Sequence, residues 1–175
     1  VLQNHLTELQ DTLLDDDCYL PGKKKEISPL TAKGRFVCDG ENPELLTNGI
    51  DRNLGDVNNF HGSRIDLVWE KPEKVGQLRM VFDSELERLD KNMPYMWNMT
   101  PYDRKMPGRL IRDFDVCVKV NGEWVLKYQI KDNRERLVRL TLNSACEAVR
   151  LSGIRTWGGE KAADVFSVQA FRLEE

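Results

Sequence analysis

Apolar and polar positions alternate along two neighbouring stretches of the chain. In residues 64–70, Ile65, Leu67 and Trp69 fall on one face and Asp66, Val68 and Glu70 on the other. In residues 77–83, Leu78, Met80 and Phe82 oppose Arg79, Val81 and Asp83. A period of two predicts half-buried strands, and Lys71-Pro72-Glu73-Lys74 predicts the turn between them. A loop dense in Asn, Gly and Asp, residues 47–59, precedes the pair. From residue 110 onward the pattern is β throughout. Phe114, Val116, Val118 and Val120 alternate with Asp113, Asp115, Cys117 and Lys119, and Asn121-Gly122 is a strong two-residue hairpin signal. Residues 123–131 return through Trp124, Leu126, Tyr128 and Ile130, and 132–135 turn. Residues 136–142, 149–154 and 165–173 supply further strands. With residues 35–38 as a short first strand, the expectation is an all-β fold: a jelly-roll β-sandwich of about eight antiparallel strands.

The first residues follow a different rule. Leu2, Leu6, Leu9 and Leu13 recur at helical spacing, and Thr7 to Gln10 fits a capping box, so a short N-terminal helix is predicted. Asp15-Asp16-Asp17 should end it, because like charge gathers at the negative end of the dipole. The leucine stripe needs a partner, either the end of the sandwich or an upstream domain. Residues 21–34 read as linker, and 43–46 as a helical turn. The expected organisation is therefore residues 1–34 as helix and linker from a preceding domain, then residues 35–175 as the sandwich. Residues 84–108 carry Met93, Tyr95, Met96, Trp97, Met99, Tyr102 and Met106 among Pro94, Pro101 and Pro107. The prolines exclude a regular element through the middle. Two readings stay open for this long loop: a flap whose aromatics pack on the sandwich, or a loop facing a ligand.

Composition narrows the function classes. At 175 residues with 40% hydrophobic and 31% charged positions, the chain has the length and make-up of one globular domain. A formal net charge of −3 makes it a poor electrostatic partner for nucleic acid or anionic membrane. No run approaches the roughly 18 apolar residues of a membrane helix. Cys18, Cys38, Cys117 and Cys146 make no CxxC pair, and His5 and His61 are the two histidines, so a zinc site has little support. Cys117 and Cys146 read as small buried hydrophobes. There is no GxGxxG, no P-loop and no GxSxG elbow. The many carboxylates mostly alternate outward on strands. The reading is a chain that is not itself an enzyme and holds no cofactor of its own.

Several stretches taken together resemble a known family. They are TNG at 47–49 with Arg52, the loop to His61-Gly62-Ser63, the strand ending in Trp69, and LIRDFDV at 110–116. GEW at 122–124, DNRER at 132–136 and IRTWGGEKAADVFSVQAF at 154–171 complete them. The chain resembles the galactose-binding-like β-sandwich, also called the coagulation factor V/VIII type C or discoidin-like domain. More narrowly, it is similar to the accessory domain that follows the flavin domain in certain bacterial FAD-dependent oxidoreductases. Those proteins also carry a helix and a DDDCYLPG-like segment, as at residues 15–22 here.

The resemblance implies a ligand site on loops at one end of the sandwich, where an aromatic face meets a pyranose and Arg, His or Asn donors meet its hydroxyls. The matching residues are His61, Asn133, Arg155 and Trp157, with Tyr95 and Trp97 from the long loop. Trp157 is the leading candidate, expected to expose a ring face because Gly158-Gly159 offers little to cover it. For each residue a structural role is the alternative: plugging a loop, capping a turn, pairing a carboxylate. The family's structural calcium usually has Asp where this chain has Asn48 and Glu where it has Ser167. Hard cations need anionic oxygens, so calcium is left with the weak candidates Asn48, Asp51 and Asp56. The implied partners are a carbohydrate or the parent's flavin domain, with FAD in the parent. The residues do not fix the compartment; the resemblance leans to a bacterial periplasmic or extracellular one.

Overall fold

The computed structural model describes residues 25–51, 59–85 and 106–172. The expected N-terminal helix, Tyr95, Trp97 and Asp56 lie outside the described residues. Among those described, the elements run in the order α1 (Pro29–Lys33), β1 (Arg35–Cys38), a 3-10 turn (Pro43–Thr47), β2 (Phe60–Gly62), β3 (Ile65–Phe82), β4 (Ile111–Val120), β5 (Glu123–Ile130), β6 (Leu137–Thr156) and β7 (Ala163–Arg172). Seven strands, all antiparallel, bear out the all-β expectation.

Two pairs of expected strands are each a single strand. β3 runs unbroken for 18 residues and β6 for 20. Pro72 looked like a turn because it cannot donate a ladder hydrogen bond. It is instead accommodated in the break of pairing between Val68 and Glu73. In β6, Asn143 sits at φ 42° inside the strand, a local bend rather than an end. Because both strands bend, each serves two sheets. In one sheet the order is β1, the start of β3, the end of β6, β4 and β5. In the other it is β2, β7, the end of β3 and the start of β6. Leu78, Met80, Phe82, Val168 and Ala170 pack against Phe114, Val116, Val118 and Leu151 in one apolar core. Phe82 and Phe114 meet edge to face at 5.3 Å across the gap between the sheets.

The second sheet is buried on its other face too. Arg79 alternates outward with the polar set, yet it is only 2% exposed. Residues 25–51 cover that face, and they bring polar partners. The Asp51 carboxylate receives Arg79 Nη2 at 2.6 Å and Ser167 Oγ at 2.9 Å, and Lys25 Nζ lies 3.3 Å from it. The backbone N–H of Ser28 donates to Gln169 Oε1 at 3.0 Å.

The described part of the expected linker is therefore packed. α1 starts at Ser28, whose hydroxyl accepts the Thr31 amide, with Pro29 at the first helical position. Leu30 is buried, and its carbonyl accepts Trp69 Nε1–H at 2.9 Å. Thr31 Oγ1 accepts the Ala170 N–H at 2.8 Å. The three described cysteines are free. Burial pushes the thiols of Cys38 and Cys146 up to about 11, with nearby carboxylates adding to the shift at both. Burial also raises Cys117. At neutral pH these are packing groups rather than nucleophiles.

Thr31→Val keeps the shape of the side chain but strands the Ala170 amide. Urea unfolding should show a loss of about 1–3 kcal/mol with an unchanged m-value. A neutral result would mean that α1 does not hold β7.

Candidate functional site

At one end of the sandwich lie the end of β3, the start of β4, the turn from β5 to β6, and the loop from β6 to β7. The 157–162 loop is closed on itself. The amide of Thr156 donates to the Glu160 carbonyl at 2.9 Å, Glu160 N–H returns to Thr156 Oγ1 at 3.1 Å, and Gly159 N–H donates to the Thr156 carbonyl at 3.0 Å. Gly159 has φ 93°, which disfavours any side chain. Gly158 N–H donates to the Gly108 carbonyl at 2.7 Å, and a Cβ on Gly158 would meet that oxygen at 2.9 Å. The two glycines serve a tight turn and a close backbone approach, and they hold Trp157 in one place.

Trp157 is half-buried: part of the side chain packs on the apolar core. Its Nε1–H donates to the Asn133 carbonyl at 2.7 Å, and its amide donates to the Leu110 carbonyl at 2.9 Å. Arg112 stands over the ring at 5.9 Å. The covering groups come from β4 and the β5–β6 turn, far away in sequence, so the neighbouring glycines did not reveal them. Asn133 is buried within its own turn. Its amide donates to the Ile111 and Glu135 carbonyls at 2.8 and 2.9 Å, and its Oδ1 accepts the Glu135 amide at 3.1 Å. With both amide hydrogens engaged, Asn133 shapes the site through its backbone.

Arg155 lies opposite Asp113 in the β4–β6 ladder and is exposed. Asp113 itself is paired with Arg112 at 2.7 Å, and that hydrogen bond holds the Asp113 carboxyl below the usual carboxylate range. Among the described residues Arg155 forms no ion pair, which leaves its guanidinium available to an incoming group. His61 belongs to the other sheet. Its Nδ1 meets Asp164 Oδ1 at 2.8 Å while the ring stays exposed, so the carboxylate sets the orientation of the imidazole. Asp164 opens β7 and follows the loop that carries Trp157. His61, Arg155 and Trp157 thus share one end of the sandwich, and Trp157 alone of them touches Asn133.

Sequence reasoning missed Arg112 and Asp164, which fix Trp157 and His61. Both are charged residues beside strand positions of known pattern, and nothing local distinguishes them from the solvated face.

Among the described residues, the calcium candidates Asn48 and Asp51 are already engaged, which does not suit a divalent ion. Asn48 Oδ1 accepts the Ile50 amide at 2.8 Å. Both oxygens of Asp51 are engaged, one of them by two cationic side chains. A divalent ion there would face a guanidinium and an ammonium at close range. Among the described residues no cluster of three or more His, Cys, Asp or Glu side chains could hold a metal. No described helix is long and apolar enough to cross a membrane.

No protein-family model matches the chain, and no curated protein matches it in sequence. Solved structures do match it in shape. A fucose-binding module of Streptococcus pneumoniae, SpX-3, superposes with a TM-score of 0.59 at 12% identity, covering 85% of this chain and 100% of that one. The lectin domain of lectinolysin, solved with Lewis B antigen, gives 0.58 at 13% identity, covering 86% and 100%. The family 32 carbohydrate-binding module of Streptococcus pneumoniae EndoD gives 0.51 at 20% identity, covering 76% and 86%. The fold of this chain is the galactose-binding-like, discoidin-like β-sandwich.

The Asp51 carboxylate already faces the positive charges of Arg79 and Lys25. The melting temperature should therefore stay within about a degree in EDTA or in added calcium. Arg79→Met, which removes the buried guanidinium and leaves Asp51 with only the half-buried Lys25 ammonium as a cationic partner, should cost about 3 kcal/mol. A melting temperature that falls in EDTA and recovers with calcium would contradict this.

Proposed function

We propose that this chain is a non-catalytic carbohydrate-binding domain whose ligand sits at the loop end, between His61, Arg155 and the exposed part of Trp157. The observation that carries the reading is the His61–Asp164 pair. A histidine oriented by a carboxylate and exposed to solvent presents its second ring nitrogen for a hydrogen bond with an incoming group. Arg155 adds a charged donor. Trp157, clamped by Arg112 and Asn133, adds a rigid apolar edge that loses little entropy on binding. These three groups match the mixed donor, acceptor and C–H surface of a pyranose. The likeness of fold to sugar-binding modules supports the reading.

The wider assignment is to an accessory domain of an FAD-dependent oxidoreductase, located outside the cytoplasm. It rests on the resemblance of the leucine-striped residues 2–13 and of the DDDCYLPG stretch at 15–22 to the segment that precedes the sandwich in such proteins. In that setting the sugar would be held near the flavin domain. A GxGxxG-bearing flavin domain encoded upstream would bear out the assignment, and its absence would refute it.

Calorimetric titration against a panel of neutral mono- and oligosaccharides should find a ligand in the micromolar to millimolar range, about 4–8 kcal/mol. His61→Ala and Arg155→Ala should each weaken binding roughly tenfold or more, with the melting temperature near that of the parent chain because both side chains are exposed. If no saccharide binds, the loop end is a docking surface for the flavin domain instead.

A further inference from the structure

The strand β5 carries surface that the sugar site does not use. Trp124, Val125 and Leu126 follow one another and are 36%, 45% and 53% exposed. Consecutive strand residues point to opposite faces, so three in a row can be exposed only where the strand overhangs the fold. Among the described residues β5 is paired on one side only, with β4. An exposed apolar edge strand is a template for another strand.

The residues around this apolar run favour a second copy of the same chain. If two β5 strands lie antiparallel about a two-fold axis at Val125, residue positions sum to a constant. Glu123 then faces the other copy's Lys127, Trp124 faces its Leu126, and Val125 faces itself. The two charged ends match twice in this register. Glu123 and Lys127 are both exposed, and among the described residues neither forms a salt bridge. The faces agree as well. Trp124 lies opposite Lys119 and Leu126 opposite Cys117, both on the side away from the buried Val116 and Val118. The four large apolar side chains of the two copies would therefore gather on one outer face.

Trp124 is already ordered for such a contact. Arg150 stands over its ring at 3.9 Å, and Arg150 is in turn fixed by Asp66 through bonds of 2.8 and 2.7 Å. Little side-chain entropy is left to lose on association. A bulge between Leu126 and Tyr128 makes Lys127 the extra residue, which bends the strand there. The bend limits the pairing to residues 123–127.

We propose that β5 is the interface of a two-fold homodimer, formed by antiparallel pairing of residues 123–127 and joining the β4–β5 sheets of two copies into one. The interface lies beyond the Asn121-Gly122 hairpin, at the opposite end of β4 from Trp157. Each dimer would thus present two separate loop ends, with avidity for a repeated ligand.

Sedimentation equilibrium or light scattering of the purified chain, from micromolar to several hundred micromolar, should show a concentration-dependent dimer. Val125→Lys sets two like charges together on the axis and should leave only monomer. Glu123→Lys and Lys127→Glu each create two like-charge pairs and should weaken the dimer roughly tenfold. The double exchange, Glu123→Lys with Lys127→Glu, restores opposite charges and should recover it. Circular dichroism melts of the variants should match the parent, since every altered side chain is exposed. A wild-type chain that stays monomeric throughout would overturn the proposal. So would a dimer indifferent to Val125→Lys, or single charge variants that the double exchange fails to rescue.

Discussion

The antiparallel pairing of β3 with β6 is the constraint on which the rest of this molecule depends. The two strands run side by side from Ile65 opposite Leu151 to Val81 opposite Leu137, with breaks that let them bend from one sheet into the other. Every other strand except β2 and β5 pairs directly with one of them. The loops at the candidate site leave from their ends: Asp83 beyond β3, Arg136 before β6, and Trp157 after it. A slip of one residue between β3 and β6 would turn Leu78, Met80 and Phe82 out of the core and carry Arg79 into it.

The second organising feature is a buried polar layer on the outside of the second sheet. The polar positions of a strand are ordinarily its solvent face. Here Arg79, Ser167 and Gln169 lie beneath residues 25–51, which return Asp51 and Ser28 as partners. A buried arginine facing an aspartate is costly to break and leaves little room for a cation. That arrangement couples Asp51 to the sheet by charge.

Some of this was legible in the sequence. Alternation in residues 111–120 and 123–130, with Asn121-Gly122 between them, gave the hairpin, and Asn121 and Gly122 do adopt φ 51° and 83°. Strand continuity was hidden, because Pro72 and Asn143 resemble turn residues and become bends only once a partner strand holds both sides. The burial of Arg79 was hidden because its cover comes from another part of the chain. In β5 the bulge at Lys127 breaks the expected run of four residues on one face: Trp124 and Leu126 face outward, while Tyr128 and Ile130 pack toward the core. Of the site residues named from sequence, His61, Asn133, Arg155 and Trp157 lie at one end of the sandwich. Which side chains remain available depends on distant partners: Asn133 is engaged in its turn and Trp157 is clamped, while His61 and Arg155 are open to solvent.

The central claim is that the loop end binds a saccharide. Amide shift mapping of the labelled chain during a titration with a saccharide panel tests it most directly. The account predicts that perturbed amides gather at residues 60–62, 109–112 and 155–164, with the core of β3 and the β4–β5 hairpin unchanged. Shifts confined to residues 120–127, or none at millimolar saccharide, would contradict it.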